Sequence, residues 1–271
     1  MPFKGTEEAV LADVPASIPL TVTVTEAKGI SVTVSLAERL TGHGYSVAPH
    51  LPARLVSDEG HLAEVVARLR EASIHAVLVI GGDASHPVGR FPDAFSLLRS
   101  LENMGRPFKD VAIAGYPEGR AGIPDQALEL ALKQKSPYAT RIVTQMCFNA
   151  TTTSEWARDI SCAGVELPVH VGLPGPVNRQ KLIRISSRLG LGQSARFLQK
   201  QRSLLWRFLL PGAYGPTKLA RSLETSASNA RTEIRGLHIF TFNELHQTEK
   251  WRRELLDASQ SAAGTWRRGR T

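Results

Sequence analysis

Short runs of apolar, often β-branched residues alternate with helical patterns along most of this sequence of 271 residues. Successive runs are spaced by roughly thirty residues, the length of a strand, a helix and the two turns that join them. Because parallel neighbours need such a crossover connection, the alternation predicts an α/β fold with a parallel sheet. The seven predicted strands are Leu20–Thr25, Tyr45–His50, Ala76–Asp83, Val111–Gly115, Arg141–Gln145, Pro168–Gly172 and Leu237–Phe242.

Helices are predicted between these strands from capping residues and from apolar residues spaced three and four apart. Two of them, Gln180–Leu189 and Ser194–Leu209, follow each other after the sixth strand. The other predicted helices are Thr6–Val14, Val32–Leu40, Leu62–Leu69, Phe91–Leu101, Asp125–Lys135, Thr153–Ala163, Leu219–Arg231 and Glu244–Leu256.

The composition limits the class of protein. A hydrophobic content of 42% supports one substantial core, expected over residues 1–257, and the small, basic stretch 258–271 is predicted to be a disordered tail. No apolar run approaches the roughly 20 residues needed to span a membrane. Cys147 and Cys162 provide neither a disulfide framework nor a C-x-x-C metal pair, which favours a reducing cytoplasm.

The net charge of +8 predicts an anionic partner. Nucleic acid is disfavoured, because the sequence has no zinc-finger spacing and no basic helix interleaved with aromatic residues. A small anionic ligand is the preferred interpretation, and a solvated basic surface is the alternative.

The stretch Ala76–Asp83 reads A-V-L-V-I-G-G-D. Its continuous apolar run is typical of a strand buried on both faces, and its two glycines allow a sharp turn or a close approach to a ligand. Asp83 therefore falls at the carboxyl end of a parallel strand, where α/β proteins place their chemistry.

The other predicted strands also end in residues that can bind or react. An amide and carboxylates suit the recognition of a planar nitrogen heterocycle, and aromatic rings can stack on its faces. The pattern shows no Ser-His-Asp order, no phosphate-binding loop and no H-x-x-x-H pair, so no metal site is predicted. These strand-end residues are Thr23, His50, Asp83, Tyr116, Glu118, Gln145, Gly172–Gly175, Phe240 and Asn243.

Each candidate also has a purely structural interpretation, which the sequence leaves open. Asp83 could cap the following segment, and Gln145 could be a satisfied core amide. Glu118 could be a solvated loop acid, and His50 could make ordinary hydrogen bonds at a strand end. Cys147 is interpreted as a small core residue rather than a nucleophile.

The strand-end motifs, taken in order, resemble those of the methylenetetrahydrofolate reductases. Each motif is weak alone, but all seven occur in the family's order and together extend to about Leu256. The matching segments are Leu20–Thr23, Pro49–Leu51, Gly81–Asp83, Tyr116–Glu118, Val143–Phe148, Val171–Gly175 and His238–Asn243.

This resemblance implies a (β/α)₈ TIM barrel that reduces 5,10-methylenetetrahydrofolate to 5-methyltetrahydrofolate with NAD(P)H, usually through bound FAD. Asp83 would be the catalytic carboxylate that faces the pterin. The implied substrate contacts are Gln145, Phe240, Phe242 and Asn243, and the implied contacts on the flavin or nicotinamide side are Thr23, His50, Tyr116 and Glu118.

Three departures from the family pattern modify these expectations. Met1–Lys4 resembles the end of the family's first-strand motif, so that strand is expected to be largely missing, together with its general-acid glutamate. Gly81 stands where the family has an arginine. The helical stretch Leu128–Lys135 keeps lysines but loses the matched acid and amide with which the family grips its flavin. The first departure implies an N-terminally truncated chain, and the other two resemble a flavin-independent branch.

The leading functional hypothesis is therefore a reductase that uses NAD(P)H directly or through flavin, with FAD binding doubtful. A folate-binding barrel with impaired or no catalysis is the alternative, since loss of a general acid typically costs about 10²–10⁴-fold in rate. A nucleic-acid-binding barrel is the third hypothesis. The sequence leaves the oligomeric state open.

Overall fold

The computed structural model describes residues 1–120, 122–176, 216–229 and 233–268. The described strands form one parallel sheet in which each strand pairs with the next along the chain, from β1 to β7. The sheet curls into part of a barrel with helices between successive strands, which confirms the predicted TIM-barrel-like α/β fold. The strands are β1 (Leu20–Val22), β2 (Val47–Pro52), β3 (Ala76–Ile80), β4 (Asp110–Gly115), β5 (Arg141–Met146), β6 (Val169–Pro174) and β7 (Ile234–Phe240).

Four strand boundaries differ from the sequence prediction in ways that affect the site. β1 ends at Val22, before Thr23, and β3 ends at Ile80, before Asp83. β2 begins two residues later than predicted and runs to Pro52, because Val47 pairs with Leu20 and Pro52 pairs with Ile80. His50 therefore lies inside the strand rather than at its end. β7 ends at Phe240 instead of Phe242, because the backbone turns into the left-handed region at Phe242.

The helices lie between the strands, and several begin at side-chain caps. Asp58, Asp93 and Asn149 each accept a hydrogen bond from the backbone N–H three residues further on. The predicted helices Gln180–Leu189 and Ser194–Leu209 lie outside the described residues. The described helices are α1 (Thr6–Asp13), α2 (Gly29–Gly42), α3 (Glu59–Glu71), α4 (Ala94–Asn103), α5 (Asp125–Lys135), α6 (Ala150–Cys162), α7 (Pro216–Asn229) and α8 (Leu245–Arg268).

Helix α8 extends well beyond the predicted end at Leu256 and covers much of the stretch 258–271 that composition predicts to be disordered. The domain boundary at residue 257 stays a prediction. No helix among the described residues combines the length and the apolar character needed to cross a membrane.

The core has two parts because successive residues of a strand face opposite sides of the sheet. Val77 and Val79 pack outward into the large cluster between sheet and helices. Leu78 of the same strand faces the barrel interior, where it packs with Ala112 and Val143. This inner cluster is small, which leaves space inside the barrel for polar side chains.

The curled sheet is open between β7 and β1 in the described part of the chain, and residues 1–19 contain α1 but no strand. Helix α1 packs against α8 across this opening. One polar contact joins the two helices: His246 Nδ1 lies 2.9 Å from Asp13 Oδ1. A second contact ties the end of α1 to the segment before β2, where Tyr45 Oη donates to the Val14 carbonyl oxygen at 2.7 Å.

Candidate active site at the carboxyl ends of the strands

Asp83 follows β3 at the rim of the curled sheet. Gly82 supplies the turn between strand and carboxylate with φ of 89°, a left-handed conformation that favours glycine. A Cβ at Gly82 would lie 3.0 Å from Pro52 Cβ, so the turn also packs closely on the end of β2. The Asp83 side chain is 89% exposed, which leaves it accessible to a ligand.

Arg120 joins Asp83 to Tyr116 across the ends of β3 and β4. Its Nη2 donates to Asp83 Oδ1 at 2.8 Å, and its Nη1 donates to Tyr116 Oη at 2.8 Å. The guanidinium also lies over the Tyr116 ring, 5.4 Å from the centroid. The structure therefore brings together two residues that the sequence predicted as site residues and adds an arginine that it did not.

The sequence contains a signal that could have identified Arg120. It lies between Gly119 and Gly122, which both have positive φ, in the loop that connects a strand end to a helix. A basic residue in a glycine-containing loop at the carboxyl end of a parallel strand is a typical ligand-binding position.

Glu118 joins the ends of β4 and β5. Its Oε1 accepts hydrogen bonds from the backbone N–H groups of Phe148 and Asn149, at 2.6 and 2.7 Å. These contacts hold the loop that leads into α6, so this oxygen has a structural role.

Gln145, Gly172 and Phe240 lie next to one another on β5, β6 and β7. A Cβ at Gly172 would come within 2.7 Å of Phe240 Cε2 and 2.8 Å of the Gln145 carbonyl oxygen. The Gln145 side chain is exposed, and its Oε1 accepts a hydrogen bond from the Met146 N–H. The Gln145 backbone and the Phe240 ring are thus close together at the same end of the sheet as Asp83.

Phe242 and Asn243 form a strained turn after β7. Both have positive φ, 50° and 61°, which is uncommon for residues other than glycine. Asn243 Oδ1 accepts a hydrogen bond from the Met1 amino group, and its Nδ2 donates to Thr6 Oγ1 at 2.9 Å. In this arrangement the Asn243 side chain, which the family resemblance implies would contact the substrate, binds the N-terminal segment instead.

His50 lies inside the barrel rather than at its rim. It is 6% exposed, and neither ring nitrogen has a hydrogen-bond partner among the described residues. Burial, together with the smaller effects of the nearby His238 and Met1 amino group, lowers the pKa of His50 to about 3. His50 is therefore neutral near pH 7, with one donor and one acceptor.

His238 and His170 extend this polar interior. The His238 ring packs edge-on against Phe240, with 5.1 Å between centroids, and burial lowers its pKa to about 4. His170 packs against Gly236, and its pKa is also lowered, mainly by burial. Charged forms of these side chains are disfavoured by the barrel interior.

The nine predicted site residues thus fall into separate groups. The structure links Asp83 to Tyr116 through Arg120, and it brings the backbone of Gln145 near the Phe240 ring. Thr23 is half-buried just after β1, where no hydrogen bond joins its side chain to the other predicted residues.

Helix α5 provides little for a flavin to bind. Leu128 and Ala131 are apolar, and Lys135 is buried with its Nζ donating to the Ala114 carbonyl oxygen at 3.2 Å. Burial lowers the pKa of Lys135 to about 8. Leu128, Ala131 and Lys135 therefore offer a flavin no acid, amide or free base, and Glu129 of the same helix pairs with Lys133 at 2.9 Å.

No group of three or more His, Cys, Asp or Glu side chains within the described ranges is arranged to hold a metal ion. The chemistry available at the rim is that of an exposed carboxylate, a guanidinium, a phenol and an amide.

The model of one protein family matches this chain. The family is described as methylenetetrahydrofolate reductase, and the match covers residues 11–194. The matched range includes Asp83, Tyr116, Arg120 and Gln145, and it ends before β7.

Proposed function

Because the chain belongs to the methylenetetrahydrofolate reductase family, we propose that it reduces 5,10-methylenetetrahydrofolate to 5-methyltetrahydrofolate with NAD(P)H. The observation that supports this proposal is Asp83, an exposed carboxylate after β3 on the same rim as Gln145 and Phe240. A carboxylate and an amide can read the donor and acceptor edge of a pterin, while an aromatic ring packs on its face.

In the proposed reaction the nicotinamide donor supplies a hydride to the methylene carbon. The bond from that carbon to N10 breaks, N10 takes up a proton, and the donor leaves as the oxidised nucleotide. Asp83 binds the pterin ring and stabilises the positive charge on the folate before hydride arrives, since a fixed carboxylate stabilises charge that develops near it. Gln145 and Phe240 orient the ring.

We propose direct transfer from nicotinamide to folate, without a flavin between them. The support is the chemistry of α5, where Leu128 and Ala131 are apolar and the Lys135 amine is bound to a backbone carbonyl. Tyr116 and Thr23 are the proposed contacts of the donor. The net charge of +8 favours the approach of both anionic substrates.

The test is oxidation of NADH or NADPH by the purified chain, followed by the loss of nicotinamide absorbance with and without methylenetetrahydrofolate. Oxidation that requires the folate and does not increase with added FAD is expected. Asp83→Asn should lower kcat/KM by about 10²-fold or more. Asp159→Asn is the matched control, because Asp159 is an exposed aspartate on α6, and it should leave the rate unchanged.

Saturable folate binding without NAD(P)H oxidation would instead support a folate-binding barrel without catalysis. Absence of both binding and oxidation would overturn the proposal. A flavin absorption band in the purified protein would contradict direct transfer while leaving the reductase activity in place.

A further inference from the structure

Arg120 is held more firmly than the carboxylate it contacts. Its side chain is 33% exposed, whereas that of Asp83 is 89% exposed. Tyr116 fixes the guanidinium in two ways, through the hydrogen bond from Nη1 to Oη and through the ring beneath the guanidinium. The second edge of the same group, Nη2, is thereby directed at Asp83 Oδ1.

The backbone around Arg120 is also constrained. The Gly119 N–H donates to the Tyr116 carbonyl oxygen at 3.1 Å, and the Ile123 N–H donates to the Arg120 carbonyl oxygen at 3.1 Å. These two turns place Arg120 above Tyr116 at the end of β4. Asp83, by contrast, follows two glycines and has no hydrogen bond to its Oδ2 from any described residue.

We propose that Arg120 is a positioning residue that holds one oxygen of Asp83 and thereby presents the other to the substrate. The inference rests on the proposed function, in which Asp83 binds the pterin ring. Each carboxylate oxygen can accept two hydrogen bonds, so Asp83 can contact Arg120 and the N–H groups of the ring at the same time.

A role in stability is a poor explanation for this ion pair. Exposed pairs stabilise a fold by only about 0–1 kcal/mol. Without Arg120 the Asp83 side chain would be free to rotate, and the substrate would have to order it on binding. A side chain that is already ordered binds more tightly, because the entropy cost has been met in the free protein.

Lysine should not replace Arg120. The guanidinium makes two directed contacts at once, to Tyr116 Oη and to Asp83 Oδ1, each at 2.8 Å. A lysine ammonium is a point charge on a flexible stem and lacks the rigid planar fork. The Arg120→Lys variant keeps the positive charge but loses the planar fork, so it shows whether the geometry or the charge of Arg120 positions Asp83.

The experiment is a double-mutant cycle read as steady-state kinetics with methylenetetrahydrofolate. R120Q should raise KM for the folate about tenfold and change kcat less, since ordering of Asp83 acts on binding. In the D83N background the same R120Q change should alter KM less than about twofold. The KM of R120K for the folate should stay close to that of R120Q.

Arg106→Gln is the matched control. Arg106 also forms an exposed pair with a carboxylate, Glu102, at 2.6 Å, but it lies in the turn before β4, at the opposite end of the strand. R106Q should leave KM and kcat at wild-type values. Thermal unfolding of every variant shows whether a change in KM reflects loss of folded protein, and KM is compared at a temperature where all are folded.

Additive effects of R120Q and D83N, or full recovery in R120K, would overturn the inference while the reductase activity stands. A wild-type chain that neither binds nor reduces the folate would overturn the proposed function, and the positioning role of Arg120 with it. The wild-type assay therefore shows whether the proposed function has failed or only the positioning role of Arg120.

Discussion

The buried imidazole of His50 illustrates how much one residue can reduce the stability of the folded protein. Both ring nitrogens lie inside the barrel with no hydrogen-bond partner among the described residues. An unsatisfied buried polar group typically costs about 1–3 kcal/mol. Protonation costs more, because burial, the nearby His238 and the Met1 amino group all disfavour a second positive charge.

The stability of the protein should therefore fall as the pH is lowered. The pKa of His50 is about 3 in the folded state and 6.5 ordinarily, so only the unfolded chain takes up this proton between those values. His50 alone then lowers the free energy of unfolding from about pH 6.5 downwards, by about 3 kcal/mol at pH 4, and His238 acts in the same direction. His50→Gln should flatten this dependence, measured by urea unfolding between about pH 4 and pH 8.

His75→Gln is the control for this measurement. His75 is exposed, so its removal should leave the pH dependence of unfolding as in the wild type. If the free energy of unfolding varied with pH equally in His50→Gln and in the wild type, His50 would not be the group responsible for the pH dependence.

Sequence patterns predicted where residues such as Asp83 lie, but not what they contact. Asp83 follows an apolar run and two glycines, so its place at a strand end could be predicted from local signals alone. The contact to Arg120 links positions 37 residues apart, and no local pattern encodes it. The sequence predicted His50 at a strand end, whereas β2 continues to Pro52 because it pairs with β1 and β3.

At the scale of elements, the close approach of β5 and β6 depends on Gly172. The Gly172 N–H donates to Thr144 Oγ1, and its carbonyl accepts from the Cys147 N–H, both at 2.8 Å. The register of β5 shifts here, between Val143 and Met146. A Cβ at Gly172 would lie 2.5 Å from the Thr144 carbonyl oxygen, so any side chain must push the two strands apart.

Gly172→Ala should lower the free energy of unfolding by about 1–3 kcal/mol, as overpacking does in other cores. It should also raise KM for the folate, because the new methyl group displaces Phe240 and the backbone of Gln145. Urea unfolding and steady-state kinetics measure the two effects.

Gly42→Ala is the matched control for this change, since a Cβ at Gly42 meets no atom within 4 Å. It should be neutral or stabilising by up to about 1 kcal/mol. Equal stability of the two variants would show that the β5–β6 approach tolerates a side chain.

Element types followed from periodicity, whereas element ends followed from tertiary contacts. The alternation of Leu237–Phe242 predicted β7, yet the strand starts at Ile234, because Ile234 pairs with Val169. It stops at Phe240, two residues before the backbone becomes left-handed at Phe242. A hydrophobic pattern shows neither where β7 begins nor where it ends, since the start depends on a neighbouring strand and the end depends on a turn.

At the scale of the whole molecule, α1 and its contacts bridge the opening between β7 and β1. Tyr45 is 6% exposed, and its hydroxyl donates to the Val14 carbonyl oxygen at 2.7 Å, with the Val10 carbonyl oxygen at 3.2 Å. This hydroxyl ties the C-terminal end of α1 to the segment before β2.

Tyr45→Phe should destabilise the protein by about 1–2 kcal/mol, because it removes the side-chain donor of the half-buried Val14 carbonyl oxygen. Amide hydrogen exchange should increase first in α1, since the lost contact acts there. Tyr138→Phe removes a phenol for which no hydrogen bond is found among the described residues, and exchange in α1 should stay unchanged. Uniform acceleration over all helices would argue against a local tie.

The strict β1-to-β7 order of the sheet has a consequence for how the chain is made. Every strand pairs with its predecessor, so each new βα unit can dock on those already synthesised as the polypeptide leaves the ribosome. Until the next unit arrives, the last strand presents an unpaired edge of backbone groups, which invites association with other chains. Assembly by this route is sequential, and aggregation would compete with it at each step of translation.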